Sequence, residues 1–276
     1  MTMRSVCWML LISASKSLSH GRTGPWKDPR IHNLGNHGKG GWLHAQMAGP
    51  FTHMLDQVAY GGVDVREMVR ESAPPGTVDL GCGVGLSTPD DGIGVDASSQ
   101  MLDVATRTRT GCTFYRGLAE RWGAADSAPL VIVSFLLHEQ PRERRVRILH
   151  NARRISTGRV LVLDVHPEYR PSRAMLSGEP FLLDFLSHIE GEMADAFGRT
   201  QTDDIVPGRV RLWNASVASG DAESTSPDLP PCPLLNRALS IPAAKRDASS
   251  PSAKPSPLLQ TMTQRQRRMG RSRHTN

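Results

Sequence analysis

Three glycines, at 81, 83 and 85, follow the β-forming run Val78-Asp79-Leu80, and a carboxylate, Asp96, stands 15 residues beyond the first of them. Glycine lets a chain turn sharply and approach a ligand closely, so this spacing after a strand reads as a ligand cradle. A carboxylate at the end of the next strand can accept hydrogen bonds from a pair of hydroxyls, and its charge makes them stronger than neutral ones. A dinucleotide fingerprint would be G-x-G-x-x-G. The place for its third glycine holds Leu86, and Gly85 comes one residue early, so the spacing disfavours a nicotinamide dinucleotide. A second chemical pair, His138-Glu139, follows the apolar run Val131-Ile132-Val133-Ser134. A base there serves only an acceptor that must lose a proton, and His138 reads more readily as a structural or positioning group than as a base.

Further blocks follow in order: Asp96-Ala97-Ser98-Ser99-Gln100-Met101-Leu102, Gly117-Leu118-Ala119-Glu120, His138-Glu139-Gln140-Pro141, Ala152-Arg153-Arg154-Ile155 and Gly158-Arg159-Val160-Leu161-Val162-Leu163-Asp164. The glycine stretch resembles motif I of the class I S-adenosylmethionine-dependent methyltransferases, an acidic residue followed by G-x-G-x-G. The downstream blocks match that family's order over residues 75–165 and more loosely over 30–216. The resemblance implies an α/β, Rossmann-like, mostly parallel sheet with flanking helices, and methyl transfer from S-adenosyl-L-methionine to a small organic acceptor. It implies that Asp79, Gly81, Cys82, Gly83 and Gly85 form the cofactor loop, its N–H groups meeting the methionine part, and that Asp96 and Ala97 meet the ribose. By the same resemblance Met101, Leu118 and Ala119 border the adenine, Ser134 closes the strand beside it, and His138 and Glu139 line the acceptor pocket. No metal is implied.

One departure carries an alternative. Asp96 usually follows such a loop by about 20 residues, and the shortfall falls on the crossover to the next strand. Only residues 84–91 remain for it, and Pro89 breaks helical geometry there. The alternative is a non-catalytic or truncated relative; a NAD(P)-dependent oxidoreductase is a third reading.

Stepwise alternation of strand and helix signals positions these groups. Strands are expected at 77–80, 92–96, 112–115, 129–135 and 159–165. A helix over 141–156 opens on Pro141 and turns Val146, Leu149, Ala152 and Ile155 inward, its arginines forming a solvated face. Another begins at Pro180 with Leu182, Phe185, Leu186 and Ile189 inward, and residues 206–213 read as a late edge strand where Pro207 is tolerated. Before the glycine loop, residues 28–72 read as a helical cap of two short helices interrupted at Gly49-Pro50 and Gly61-Gly62. Leu43, Met47, Met54, Leu55, Val58, Val65 and Met68 recur along them. The resemblance implies that this segment caps the cofactor and lines the acceptor site, with His44, His53 and Tyr60 as acceptor-side candidates. The methyltransferase unit is read as residues 73–216.

Composition limits the partners. The chain has 276 residues and a net charge of +6, which suggests nucleic acid until its distribution is followed. Residues 1–27 carry four basic groups and no acid, and residues 217–276 carry nine basic and four acidic, which leaves 20 basic against 23 acidic for 28–216. The basicity belongs to the tails, so no specific nucleic-acid binding is expected. The run Val6-Cys7-Trp8-Met9-Leu10-Leu11-Ile12 falls short of the about 20 apolar residues of a membrane span. Residues 1–27 read as disordered or as a targeting segment, so the location is cytoplasmic, or organellar if that segment is a transit peptide. Residues 217–276, rich in Ser, Pro and Ala, read as a disordered basic tail. Cys7, Cys82, Cys112 and Cys232 form no metal or disulfide pattern, which fits a reducing compartment; Cys82 reads as a small residue that fits the loop.

Overall fold

The computed structural model describes residues 27–217 apart from Pro29. The expectations for the N-terminal segment before residue 27 and for the basic tail after 217 lie outside the described residues. Helices α1 (Gly38–Val58) and α2 (Val65–Glu71) precede β1 (Val78–Leu80), β2 (Ile93–Asp96), α3 (Ser99–Thr108), β3 (Thr113–Arg116) and β4 (Ala128–Ser134). Then come α4 (Arg142–Ile155), β5 (Ser156–Val165), α5 (Arg173–Gly178), α6 (Leu182–Phe197), β6 (Thr200–Val206) and β7 (Val210–Ser216). No helix among the described residues is long and apolar enough to cross a membrane.

The seven strands form one sheet in the order β3-β2-β1-β4-β5-β7-β6. β1 to β5 run parallel and β7 is antiparallel to both its neighbours. The fold is α/β and Rossmann-like. Its central strands are buried on both faces, which is why they read as unbroken apolar runs. Val131, Val133, Val160 and Val162 pack on one side with Leu149, Ile155, Phe185 and Ile189 of α4 and α6. Leu130, Ile132, Leu161 and Leu163 pack on the other with Val65, Met68 and Val69 of α2. Each fully buried side chain of this kind contributes about 1.5–3 kcal/mol. Strand order reverses between β1 and β4, and Leu80 lies beside both Val95 and Val133. The residues that follow β1, β2 and β4 therefore emerge together at one edge, the place where open parallel sheets bind ligands.

Three elements depart from expectation: the cap, α4 and the late strand. The cap is one helix of 21 residues running through Gly49-Pro50, followed by the short α2. Pro50 is exposed, so the ladder bond it removes falls on the side where water can take its place. Leu43, Met47, Met54 and Val58 are exposed rather than in the core. The inward face of α1 uses Ala45 against Val84 and Met101, a small residue that lets the helix come close.

Of the six arginines of α4, Arg142, Arg147, Arg153 and Arg154 are exposed as expected, but Arg144 and Arg145 are buried. Arg145 is fully buried and forks onto Glu192 of α6 at 2.9 and 2.7 Å, with a further bond to Asp184 at 2.7 Å. Arg144 reaches Glu120 at 3.0 Å, and Val146 is only half-buried, its expected place taken by Ile148. The late strand is a hairpin: Pro207-Gly208-Arg209 makes the turn, β7 lies inside the sheet, and β6, not foreseen, forms the edge. The crossover from β1 to β2 is short, as expected, and contains no helix; residues 81–92 are turns, bends and irregular chain.

Candidate functional site

A cavity of about 740 Å³ opens over the carboxyl edge of the sheet. Of the residues singled out from sequence, Gly81, Cys82, Gly83, Asp96, Ala97, Met101, Ala119, Ser134, His138 and Glu139 line it, as do His44 and Tyr60. Asp79, Gly85 and Leu118 do not reach it. Nor does His53, which is exposed on α1 beside Asp56 and Asp64, their ligand atoms all within 4.8 Å of one another. Met47, Ala48, Phe51 and Thr52 of α1 form the roof.

The floor is the glycine bend. Gly81, Gly83 and Gly85 all have positive φ, at 75, 53 and 81°. A Cβ on Gly81 would lie 2.6 Å from a methyl of Leu136, whereas a Cβ on Gly83 would meet nothing within 4 Å. Gly83 thus leaves its space to the cavity. The N–H groups of this bend are already used: Gly81 and Cys82 donate to the Val95 carbonyl at 2.7 and 3.1 Å, and Gly85 donates to Cys82 at 2.8 Å. Gly83 N–H donates to Asp96 Oδ2 at 2.9 Å, and Ser98 N–H to Asp96 Oδ1 at 2.8 Å. The four donors of the bend are thus engaged within the chain, and the bend supplies room and holds a carboxylate still. Burial pushes the Asp96 carboxyl up, and the two backbone donors pull it partly back. An ionised carboxylate has about four lone-pair positions, more than these donors fill, and Asp96 lines the cavity.

Behind the bend, Asp79 is fully buried and accepts from Ser87 Oγ at 3.0 Å and Thr88 Oγ1 at 2.7 Å. Burial raises it to about 6 against the pull of those hydroxyls. Asp79 thus ties down the crossover. Two arginines take carbonyls that a helix would have satisfied: Arg70 donates to Leu86 O and Arg109 to Thr88 O, each at 2.9 Å. Gly85 belongs to the same packing, so close to Phe114 that a Cβ on it would lie only 3.0 Å from the ring. Cys82 is a buried free thiol, and burial drives it well above its ordinary pKa, so it stays a thiol.

At the β4 and β5 ends stands a cluster of two imidazoles and three carboxylates. His138 Nδ1 donates to Asp164 Oδ1 at 2.6 Å, and Asp164 Oδ2 accepts from Leu137 N–H at 3.0 Å. His138 Nε2 lies 3.9 Å from Glu179 Oε2. Burial alone would push His138 down, but Asp164, backed by Glu179 and Glu139, overrides it and raises the ring to about 9. His32 sits between Glu139 and Glu179 at 2.8 Å from each. Burial opposes its charge too, and the two glutamates overcome it, raising His32 to about 11. His32 also has φ +50°, a left-handed conformation that costs a non-glycine residue about 1–2 kcal/mol. The ion pairs hold that conformation and pin the segment before α1 to the cavity wall.

Sequence reasoning missed His32, Asp164, Glu179 and Arg66 as wall or cluster residues. Asp164 carried a usable signal, an acid at a strand's carboxyl end like Asp96. Glu179 and His32 carried none, because only the folded chain brings positions 32, 139 and 179 together.

The sequence matches no family model and no curated protein. Its fold is similar to that of solved methyltransferases. An S-adenosylmethionine-dependent methyltransferase from Mesorhizobium loti is 18% identical, with a TM-score of 0.41 over 55% of this chain and 94% of that one. Phosphoethanolamine N-methyltransferase 2 of Haemonchus contortus, solved with S-adenosyl-L-methionine, is 14% identical, with a TM-score of 0.49 over 65% of this chain and 60% of that one. These likenesses are low in identity and in overlap, and what the chain itself shows is an α/β, Rossmann-like fold with the residues after β1, β2 and β4 gathered at the carboxyl edge of its sheet.

Proposed function

We propose that the protein is an S-adenosylmethionine-dependent methyltransferase acting on a small organic acceptor. The observation that carries this reading is the pairing of an open glycine wall with a pinned carboxylate: Gly83 offers empty space, and its N–H fixes Asp96 at 2.9 Å. The residues present suit the cofactor. Asp96 would take the ribose hydroxyls, Met101 and Ala119 would border the base, and Ser134 Oγ, buried with no hydrogen-bond partner, offers a polar contact at the end of β4. The cofactor, when bound, supplies a methyl group on a sulfonium whose departure is already activated. The chain's own contribution is placement and exclusion of water.

Each wall has a part in that. The floor at 81–83 sets how deeply a ligand can sit. The α1 roof and the His32 latch cover the other side, and this enclosure favours a small acceptor over a polymer. His138 and Glu139 stand at the acceptor end. His138, held by Asp164, would accept a proton at Nε2 when the acceptor must lose one; Glu139 would hold the latch rather than move a proton. The shortened crossover is compatible with this function because Asp79, Arg70 and Arg109 hold the loop in place of a helix.

The test is to supply methyl-labelled S-adenosylmethionine with a small-molecule extract and follow the label. Label in a small organic product, lost in Asp96→Ala, is the expected result. Label confined to protein or nucleic acid, or none above a protein-free blank, would overturn the reading.

A further inference from the structure

Arg66 is the one wall residue whose charge the methyltransferase reading leaves unexplained. Its side chain is 15% exposed and lines the cavity. Nη1 has no hydrogen-bond partner; the nearest carboxylate, Asp56 Oδ1, stays 3.9 Å away, and both Asp56 oxygens are themselves without hydrogen bonds. The guanidinium lies 4.0 Å over the centre of the Phe135 ring, which also has Tyr60 stacked at 6.4 Å and 16° and His138 edge-on at 6.4 Å and 85°. Phe135 holds this place at φ +50°, an uncommon conformation for so bulky a residue. Burial presses the Arg66 cation below its ordinary pKa. The ion pair with Asp56 is too long for a hydrogen bond, so a guanidinium held mostly out of water keeps hydrogen-bonding capacity for an anion that enters the cavity it lines.

The position of Arg66 separates it from the nucleoside end. α2 packs on Leu130, Ile132, Leu161 and Leu163 of β4 and β5, with Tyr60 and Phe135 against the same cluster. Asp96 belongs to β2, on the far side of β1. The planar fork of a guanidinium matches a carboxylate bidentately, and the rings of Phe135 and Tyr60 offer an apolar bed to whatever carries it.

We propose that the methyl acceptor is a small carboxylic acid, its carboxylate on Arg66 and its apolar body against Phe135 and Tyr60. This rests on the methyltransferase reading for the word acceptor, but not for the carboxylate site itself.

The test is calorimetric titration of the full chain with benzoate, phenylacetate and acetate, in the presence of saturating S-adenosylhomocysteine, with benzamide as the uncharged control. Benzoate binding at least about tenfold tighter than benzamide, weakened about tenfold in Arg66→Gln and less in Arg66→Lys, is expected. Affinity for S-adenosylhomocysteine should stay within about threefold in both variants, which also shows that they fold; if the glutamine variant does not fold, the lysine variant carries the comparison. Three results would overturn the proposal. One is no binding of any of the acids by the wild type. Another is benzoate binding that is indifferent to Arg66. The third is loss of S-adenosylhomocysteine with retention of 5′-methylthioadenosine, which lacks the amino-acid end, for then Arg66 serves the cofactor's own carboxylate. Arg66-dependent benzoate binding without any S-adenosylhomocysteine binding would leave the carboxylate site standing and sink the methyltransferase reading.

Discussion

Alanine at Gly83 separates the demands of folding from those of binding. Gly83 has φ +53°, and an added Cβ would meet no heavy atom within 4 Å. The folded chain therefore suffers only the left-handed penalty of an L-residue, about 1–2 kcal/mol. For a domain of this size that lowers the unfolding temperature by about 2–8 °C. Gly81→Ala adds to the same penalty a collision with the Leu136 side chain at 2.6 Å. Such overpacking costs about 1–3 kcal/mol more, so Gly81→Ala should lose about 4–20 °C. The order reverses for the ligand. The methyl of Gly83→Ala stands where the ligand is to lie, and S-adenosylhomocysteine should bind at least about tenfold more weakly, or about 1.4 kcal/mol. Thermal unfolding and calorimetric titration of both variants read the two effects separately. A folded Gly83→Ala that binds S-adenosylhomocysteine like the wild type would refute the reasoning, because that wall would then not be the binding surface.

Three further outcomes are expected. Arg145→Met leaves Glu192, whose side chain is 1% exposed, with only Arg142 Nε at 3.4 Å; it should cost about 3–5 kcal/mol in denaturant unfolding. The double variant Arg145→Met/Glu192→Leu should recover most of that, and a single variant losing under about 1 kcal/mol would contradict the buried pairing. If His138 is the base, it acts only when neutral, so with its pKa at about 9 the rate on a proton-losing acceptor should climb through pH 9 and the limb should vanish in His138→Gln. The same raised value makes the His138 to Asp164 pair stabilising below the ordinary histidine value of 6.5, with that stability lost as pH rises through about 9. A pH scan of unfolding that shows no difference between wild type and His138→Gln across this window would count against the pair.

Much of the frame was legible in the chain because local pattern and long-range packing agree in the central strands. Val131, Ile132 and Val133 are apolar on both faces since both faces are covered, and the same holds for Val160 to Leu163. The glycine bend and Asp96 were legible because only a few residue types suit a tight turn and a strand-end acceptor. The cap was not. Leu43, Met54 and Val58 recur at helical spacing yet face outward, and nothing local distinguishes an apolar stripe that packs from one that does not. Arg145 on α4 misled for a related reason: it is buried because Glu192, 47 residues later, arrives opposite it. His32, Glu139 and Glu179 belong to the same class, a cluster made by topology. The crossover was read correctly as short, but its repair by Asp79, Arg70 and Arg109 depends on side chains that converge only in the folded protein.

The central claim is that Asp96, held by Gly83 and Ser98, grips the sugar of a sulfonium nucleoside at the glycine wall. A calorimetric isotherm for S-adenosylhomocysteine, run on the intact wild type and on Asp96→Ala, measures this most directly. Loss of two hydrogen bonds to a charged acceptor, about 1.5–3 kcal/mol each, should weaken binding by roughly a hundredfold or more. No detectable binding by the wild type, or equal binding by both proteins, would contradict the account.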